Sequence, residues 1–318
     1  MAQDMSERLE YGVVWAFLKF LGLLPRPMAR WTAAQLAVLL FAIYPAWNRI
    51  ALFNLSLAFP DWEKSRRQRV IREMVRKSGW MAAEFAHFPR NTPGDLDHIM
   101  SVEGAENFAA AERCGKGVLL LTGHLGAWEL LPFAAFVRPA NGLAKYFVAR
   151  AIDNPRVDAL INRYRAFSGN LQINKDQAAR SALRVLRKGG VVGILIDQNT
   201  SPEESIFVDF FGIPAATTTG LARLARHTGA PVVPAYAYWD DSLRKYKVCA
   251  EPALALERTD DEEADIREYT ARFNKVIEAF VRRFPDQWLW AHRRWKNRPP
   301  GEEPIYPDQG PKSASPKD

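Results

Sequence analysis

Two short apolar runs constrain the fold of this chain more than anything else in it. They are Gly117-Val118-Leu119-Leu120-Leu121 and Val191-Val192-Gly193-Ile194-Leu195-Ile196. Neither alternates with polar residues, so a strand built from either has both faces covered. Amphipathic stretches lie around them. Residues 64–87 place Val70, Ile71, Met74, Val75, Trp80 and Met81 at helical spacing. Further helices are expected over 127 to about 137, 155–167, 178–187, 219–228 and 263–284. Further strands are expected near 143–148, 232–238 and 245–249. Strands separated by helices predict an α/β fold: a mixed, largely parallel sheet flanked by helices on both faces.

His124 and Glu129 follow directly behind the first run, where the strand gives way to the expected helix. On one regular helix they would point about 140° apart. Acting together therefore requires His124 in the turn and Glu129 in the first helical turns. A carboxylate holding an imidazole is a common way to make a base for a hydroxyl nucleophile. The other reading is a buried histidine with a solvated glutamate nearby, and spacing alone leaves both open.

Several chemistries find no support. There is no G-x-S-x-G elbow, no P-loop and no G-x-G-x-x-G. The five histidines (His87, His98, His124, His227 and His292) have no partners at metal spacing, so neither a metal nor a cofactor is expected. Cys114 and Cys249 lie too far apart to suggest a disulfide scaffold or zinc site, which points to a reducing compartment. What remains is a histidine base that activates a substrate hydroxyl for direct acyl transfer. Backbone N–H groups of the following helix, or an arginine, would stabilise the oxyanion. The net charge of +7 points to anionic partners. Nucleic acid is not among them, because the charge is spread and no nucleic-acid motif occurs.

Residues 11–24 are apolar except for Lys19, and 31–47 carry no charge. Each run falls short of the roughly 20 residues of a full span. Trp15, Trp31 and Trp47 suit a headgroup zone, so a membrane anchor is expected, with a pair of core helices as the other possibility. Asp4, Glu7 and Glu10 speak against a signal peptide. The expected division is an apolar helical anchor over 1–52, an α/β domain over 53–298 and a Pro-rich tail over 299–318 with disordered last residues.

The blocks Asn54-Leu55-Ser56-Leu57-Ala58-Phe59-Pro60, Gly123 to Glu129, Ala149-Arg150 with Asp153-Asn154-Pro155, Ile196-Asp197-Gln198, Phe210-Phe211-Gly212 with Ala216 to Gly220, and Gln287 to Lys296 occur in this order. Together they resemble the bacterial lipid A late acyltransferases, within the glycerolipid acyltransferase superfamily marked by H-x-x-x-x-D/E. The resemblance runs along nearly the whole chain. It implies an enzyme on the cytoplasmic face of the bacterial inner membrane that esterifies a hydroxyl of a 3-hydroxyacyl chain on an anionic glycolipid acceptor, with acyl carrier protein as donor. It further implies that His124 is the base, that Glu129 orients it, and that Asp197 adds a second carboxylate. Arg150, Arg293 and Arg294 would bind phosphate or developing charge. Phe210 and Phe211 fit an acyl groove or the core, and Thr217 to Thr219 a helix cap. Trp288 and Trp290 are expected to pack on the core. A lysophospholipid, mannosylated phosphoinositide or aminolipid acceptor would use the same dyad, and a non-catalytic peripheral membrane protein would leave that dyad unexplained.

Overall fold

The computed structural model describes residues 2–134, 145–174 and 178–306. Helices α1 (Ala2–Leu23), α2 (Arg26–Ile43) and α3 (Pro45–Ala58) come first, followed by the long α4 (Lys64–His87). Proline shapes both early breaks. Pro25 precedes α2 and Pro45 opens α3, where a missing N–H leaves no intrahelical bond unmade. Next come α5 (Pro93–Ile99), β1 (Met100–Glu103), α6 (Ala105–Glu112) and β2 (Val118–Thr122). A 3-10 helix over Trp128–Phe133 leads towards β3 (Lys145–Ala149), α7 (Pro155–Ala166), β4 (Asn170–Asn174), α8 (Ala178–Arg187) and β5 (Val191–Leu195). The hairpin β6 (Ser205–Phe210) and β7 (Ile213–Thr218) precedes α9 (Gly220–Thr228), β8 (Val232–Asp240), β9 (Lys245–Ala250) and α10 (Glu262–Arg283).

Seven strands form one sheet in the order β1-β9-β8-β2-β5-β3-β4. Every pairing is parallel except β8 with β9. This is the mixed, largely parallel α/β sheet expected from the apolar runs. Period-2 side-chain direction sorts the core into two layers. Leu119, Leu121, Val192, Ile194 and Val232 pack with α3, α8, α9 and α10 on one face. Val118, Leu120, Val191, Val233 and Ala235 pack with α1, α2, α6 and α7 on the other. All five residues of β2 are buried, and each leucine removed from water contributes about 1.5–3 kcal/mol. The central strand is therefore firmly held, and so is the turn that leaves it.

The helix expected over 127–137 is instead the 3-10 helix Trp128–Phe133, with Pro132 inside it. Proline lacks the N–H that an α-helix would need there. Residues 135–144 lie outside the described residues, as do the first two residues of the strand expected at 143–148. Strands β1 and β4 and the β6–β7 hairpin were not anticipated.

The N-terminal helices are tied to the body by polar bonds as well as by packing. Glu84 on α4 is buried, and its carboxylate accepts from Arg30 at 2.6 Å and Arg26 at 3.3 Å. Asn54 on α3 donates to the carbonyls of Trp290 and His292, both at 2.7 Å. From the expected tail, residues 299–306 fold back, and buried Tyr306 donates its hydroxyl to Asn54 at 2.7 Å. Among the described residues no single helix is long and apolar enough to cross a membrane, although α2 and α3, bent by 91°, pass that test as a pair.

Candidate active site

Strands β2 and β5 are parallel neighbours, with Thr122 opposite Leu195. The residues just past their C-terminal ends therefore emerge side by side, in the crevice where α/β sheets commonly bind ligands. Those residues are His124 and Asp197. Asp197 Oδ1 accepts from His124 Nδ1 at 2.9 Å, and Oδ2 accepts from the His124 backbone N–H at 2.7 Å. The indole Nε1–H of Trp288 also donates to Oδ2, at 2.8 Å. A Cβ on Gly123 would lie 2.9 Å from Asp197 Cγ, so glycine is what lets the carboxylate close on the turn.

The electrostatics follow from this packing. The Asp197 side chain is only 1% exposed, whereas that of His124 is 23% exposed. Burial opposes a charge on Asp197. The His124 charge and the hydrogen bonds from His124 and Trp288 outweigh it and hold the carboxyl at about 2. An ionised carboxylate only accepts, so Nδ1 carries a proton, and in the neutral ring Nε2 holds the lone pair. Nε2 has no hydrogen-bond partner among the described residues, and the Trp128 ring stands edge-on at 5.0 Å from the imidazole. Such a histidine can take a proton from a hydroxyl that reaches it.

The turn itself is stitched into the sheet. Gly126 adopts φ +58°, and a Cβ there would meet the Ala237 carbonyl oxygen at 2.0 Å. Gly126 N–H donates to Gln287 O at 2.6 Å, and Ala127 N–H to Ala237 O at 2.9 Å. Leu125 N–H donates to Gly123 O at 2.8 Å. The four amides from His124 to Ala127 are thus all engaged within the protein, so the oxyanion role expected from N–H groups of the following helix does not fall to the turn before it.

Glu129 stands elsewhere. Its carboxylate takes a bidentate clasp from Arg165 on α7, with Nη2–Oε1 at 2.6 Å and Nε at 3.1 and 3.2 Å from the two oxygens. The Arg165 guanidinium also lies 4.8 Å from the Phe147 ring centroid. The carboxylate that holds the His124 ring is Asp197, reached through strand pairing, and not the sequence neighbour Glu129.

The other expected site residues divide. Arg150, just past β3, is exposed and pairs with Asp153 at 2.9 Å. Arg293 lies over the Tyr306 ring, 5.8 Å from its centroid. Arg294 is a correction, because it is fully buried and cannot meet substrate. Its guanidinium donates to Ala216 O and Thr217 Oγ1, both at 2.6 Å, to Asn274 Oδ1 at 3.1 Å and to Gln198 O at 3.4 Å. Burial pulls it down to about 10. Phe210 is core, packed on Trp288 and Trp295. Of the threonines expected to cap α9, Thr218 serves its start, its hydroxyl accepting from the Gly220 N–H at 3.3 Å, whereas the Thr219 hydroxyl accepts from Arg223 at 3.1 Å.

Two residues join the site without having been assigned chemistry. Trp288 reaches Asp197 through its indole N–H. His292 Nε2 accepts from the Asn199 backbone N–H at 2.8 Å, and burial holds the ring at about 4, hence neutral. Only the W-x-W-x-H spacing hinted at either one. Among the described residues no group of three His, Cys, Asp or Glu side chains is placed to hold a metal ion.

Comparison with known proteins bears on the whole chain. Residues 3–297 match the family described as bacterial lipid A biosynthesis acyltransferase. The lipid A biosynthesis lauroyltransferase of Escherichia coli (strain K12) is 30% identical over 306 residues, covering 94% of each chain. The lipid A biosynthesis palmitoleoyltransferase of the same strain is 27% identical over 308 residues, covering 93% of this chain and 92% of that one. The 1-acyl-sn-glycerophosphate (LPA) acyltransferase PlsC from Thermotoga maritima superposes with a TM-score of 0.36 at 16% identity. That alignment covers 81% of this chain and 98% of the other, and is too loose to bear on the site.

Proposed function

The chain belongs to the bacterial lipid A biosynthesis acyltransferase family, and on that premise we propose that it moves a fatty acyl chain from an acyl carrier protein thioester to the hydroxyl of a 3-hydroxyacyl chain on a lipid A precursor. The observation that carries this reading is the paired His124 and Asp197, which leaves Nε2 as a free base in an accessible crevice.

The steps follow from the geometry. The acceptor hydroxyl gives its proton to His124 Nε2 while its oxygen attacks the thioester carbonyl. Asp197 keeps the ring in the right tautomer and stabilises the imidazolium that forms. Collapse of the tetrahedral intermediate breaks the C–S bond, and the departing thiolate takes the proton back from Nε2. Glu129 and Arg165, clasped together, tie the 3-10 helix that begins at Trp128 to α7. Arg150, exposed past β3, and Arg293, half-buried over the Tyr306 ring, are the cations suited to the phosphates of the acceptor or the acidic carrier.

The front end supports action at a lipid surface, which the proposed substrates put at the cytoplasmic face of the inner membrane. Fifteen of the twenty large hydrophobic side chains exposed among the described residues lie in α1 to α3 or the turn between α2 and α3. So large a patch suits a lipid surface.

The test is mass spectrometry of products from purified protein given acyl carrier protein thioester and a tetra-acylated, sugar-capped lipid A precursor. One added acyl mass, absent with His124→Ala, is expected. Acylation of a lysophospholipid but not of this acceptor would overturn the assigned substrate.

A further inference from the structure

The cleft between α1 and α7 takes no part in the chemistry above. Tyr11, Trp15 and Lys19 recur every fourth residue on α1 and share one stripe, which runs on to Leu23. Leu160, Arg163 and Tyr164 on α7, with Phe167 just past its end, make the facing stripe. Together they line an open cavity of about 110 Å³. Its floor, Leu160 and Tyr164, is buried, while Trp15 and Phe167 at the rim are 44% and 51% exposed.

Charge along the same helix pair is matched at one end only. Near the start of α1, Arg156 binds Asp4 at 3.0 Å, and Asn154 donates to Glu7 O at 2.9 Å and Glu10 Oε2 at 2.8 Å. At the cleft, Lys19 and Arg163 face each other's helix with no hydrogen bond or ion pair among the described residues. Two unmatched cations over an aromatic floor call for an anion attached to something apolar. A guanidinium beside an ammonium suits a phosphate ester. The stripe then leads to Leu23, 76% exposed, with Phe20 beside it at 51%. A free phosphate would leave that apolar path wet.

We infer that this cleft seats one anionic phospholipid of the bilayer, its phosphate between Lys19 and Arg163 and its chains along the exposed side of α1. The inference deepens the membrane reading and rests on it. Trp15 and Tyr11 place amphipathic rings at the depth where a headgroup would lie.

The test is cosedimentation of the full chain with phosphatidylcholine vesicles, with and without phosphatidylglycerol, together with native mass spectrometry from phosphatidylglycerol nanodiscs. Lys19→Glu/Arg163→Glu is compared with Arg69→Glu/Arg72→Glu on α4, an equal charge change at exposed positions. Circular dichroism and melting confirm that each variant is folded. Lys19→Arg/Arg163→Lys covers a poorly folding double reversal and should keep wild-type binding. The cleft variant is expected to lose roughly tenfold or more in affinity for anionic vesicles and its one retained lipid, whereas the α4 variant behaves as wild type. Equal losses in both variants, or none in either, overturn the seat. Release of the retained lipid by excess glycerophosphate assigns the cleft to a soluble phosphate and also overturns it. Equal binding of the wild type to neutral and anionic vesicles removes the seat alone; binding to neither removes the membrane reading with it.

Discussion

Asp197 holds His124 at two points, one oxygen on the ring Nδ1 and the other on the backbone N–H of the same residue. The first bond sets the tautomer, and the second sets where the residue sits. A base positioned at both ends loses little freedom when substrate arrives, which is what preorganisation for proton transfer requires.

Asp197→Asn keeps the shape but lets the side-chain amide donate towards Nδ1, which moves the proton to Nε2. We expect kcat to fall by roughly a hundred- to ten-thousand-fold with KM little changed. Glu129→Gln should cost less turnover and show instead as a stability loss of about 1–3 kcal/mol, because Arg165 is left partly buried without its anion. Steady-state kinetics and urea unfolding of both variants decide between these roles. Equal kcat losses in two well-folded variants would show that Glu129 also acts on the imidazole.

Trp288→Phe removes the indole donor to Asp197 while keeping most of the bulk. A charge-assisted bond of this kind contributes about 1.5–3 kcal/mol, so we expect roughly a tenfold or greater drop in kcat together with a melting temperature lowered by several degrees. An unchanged kcat would reduce Trp288 to packing.

Gly123→Ala tests the close approach from the other side. Its methyl would press on Asp197 Cγ at 2.9 Å, pushing the carboxylate off the ring. Turnover should approach that of Asp197→Asn, in a protein that still melts cooperatively.

Arg294→Lys separates structure from substrate contact. A lysine cannot serve four acceptors on three segments, so we expect a loss of about 3 kcal/mol or more in unfolding free energy. The KM for the acceptor in the folded fraction should stay at the wild-type value. A raised KM with full stability would return Arg294 to the binding surface.

His292 makes stability depend on pH. The ring is held at about 4 against an ordinary 6.5, first by burial and then by the charges of Arg294, His124 and Lys296, with Asp197 opposing. As pH falls from 6.5 to 4 the unfolded chain takes up a proton that the folded one refuses. Stability should therefore decline through that window by roughly 3 kcal/mol and level off below it as far as this residue is concerned. Asp197, lowered from 3.8 to about 2, adds its own loss only below about pH 4, as pH falls towards its folded value. Urea midpoints for wild type and His292→Gln across pH 7 to 4 should show the slope vanish in the variant.

The strands nearest the site were legible because β2 and β5 are apolar on both faces, and α4 was legible because its period is helical over 24 residues. The partner of His124 was harder to read. Asp197 lies 73 residues away and becomes its neighbour only because β5 inserts beside β2, which no local pattern specifies. Glu129 drew attention through its spacing to His124, yet its own cation, Arg165, sits on a helix 36 residues further on. Trp288 was legible as a core residue and illegible as a donor, since a single N–H direction decides which it is. Arg294 was misread because charge in a sequence suggests surface, while four acceptors, three of them buried, suffice to take it inside.

Asn54 clasps the carbonyls of Trp290 and His292, and that bond spans most of the polypeptide. Translation runs at about 5–20 residues per second, so roughly 10–50 s separate the making of Asn54 from that of Trp288 and its neighbours. Throughout that interval the greasy leading helices exist while the base has no finished pocket. A growing polypeptide therefore carries its apolar leading helices well before it can react, and a chain cut short of the tryptophan segment lacks the Trp288 donor to Asp197.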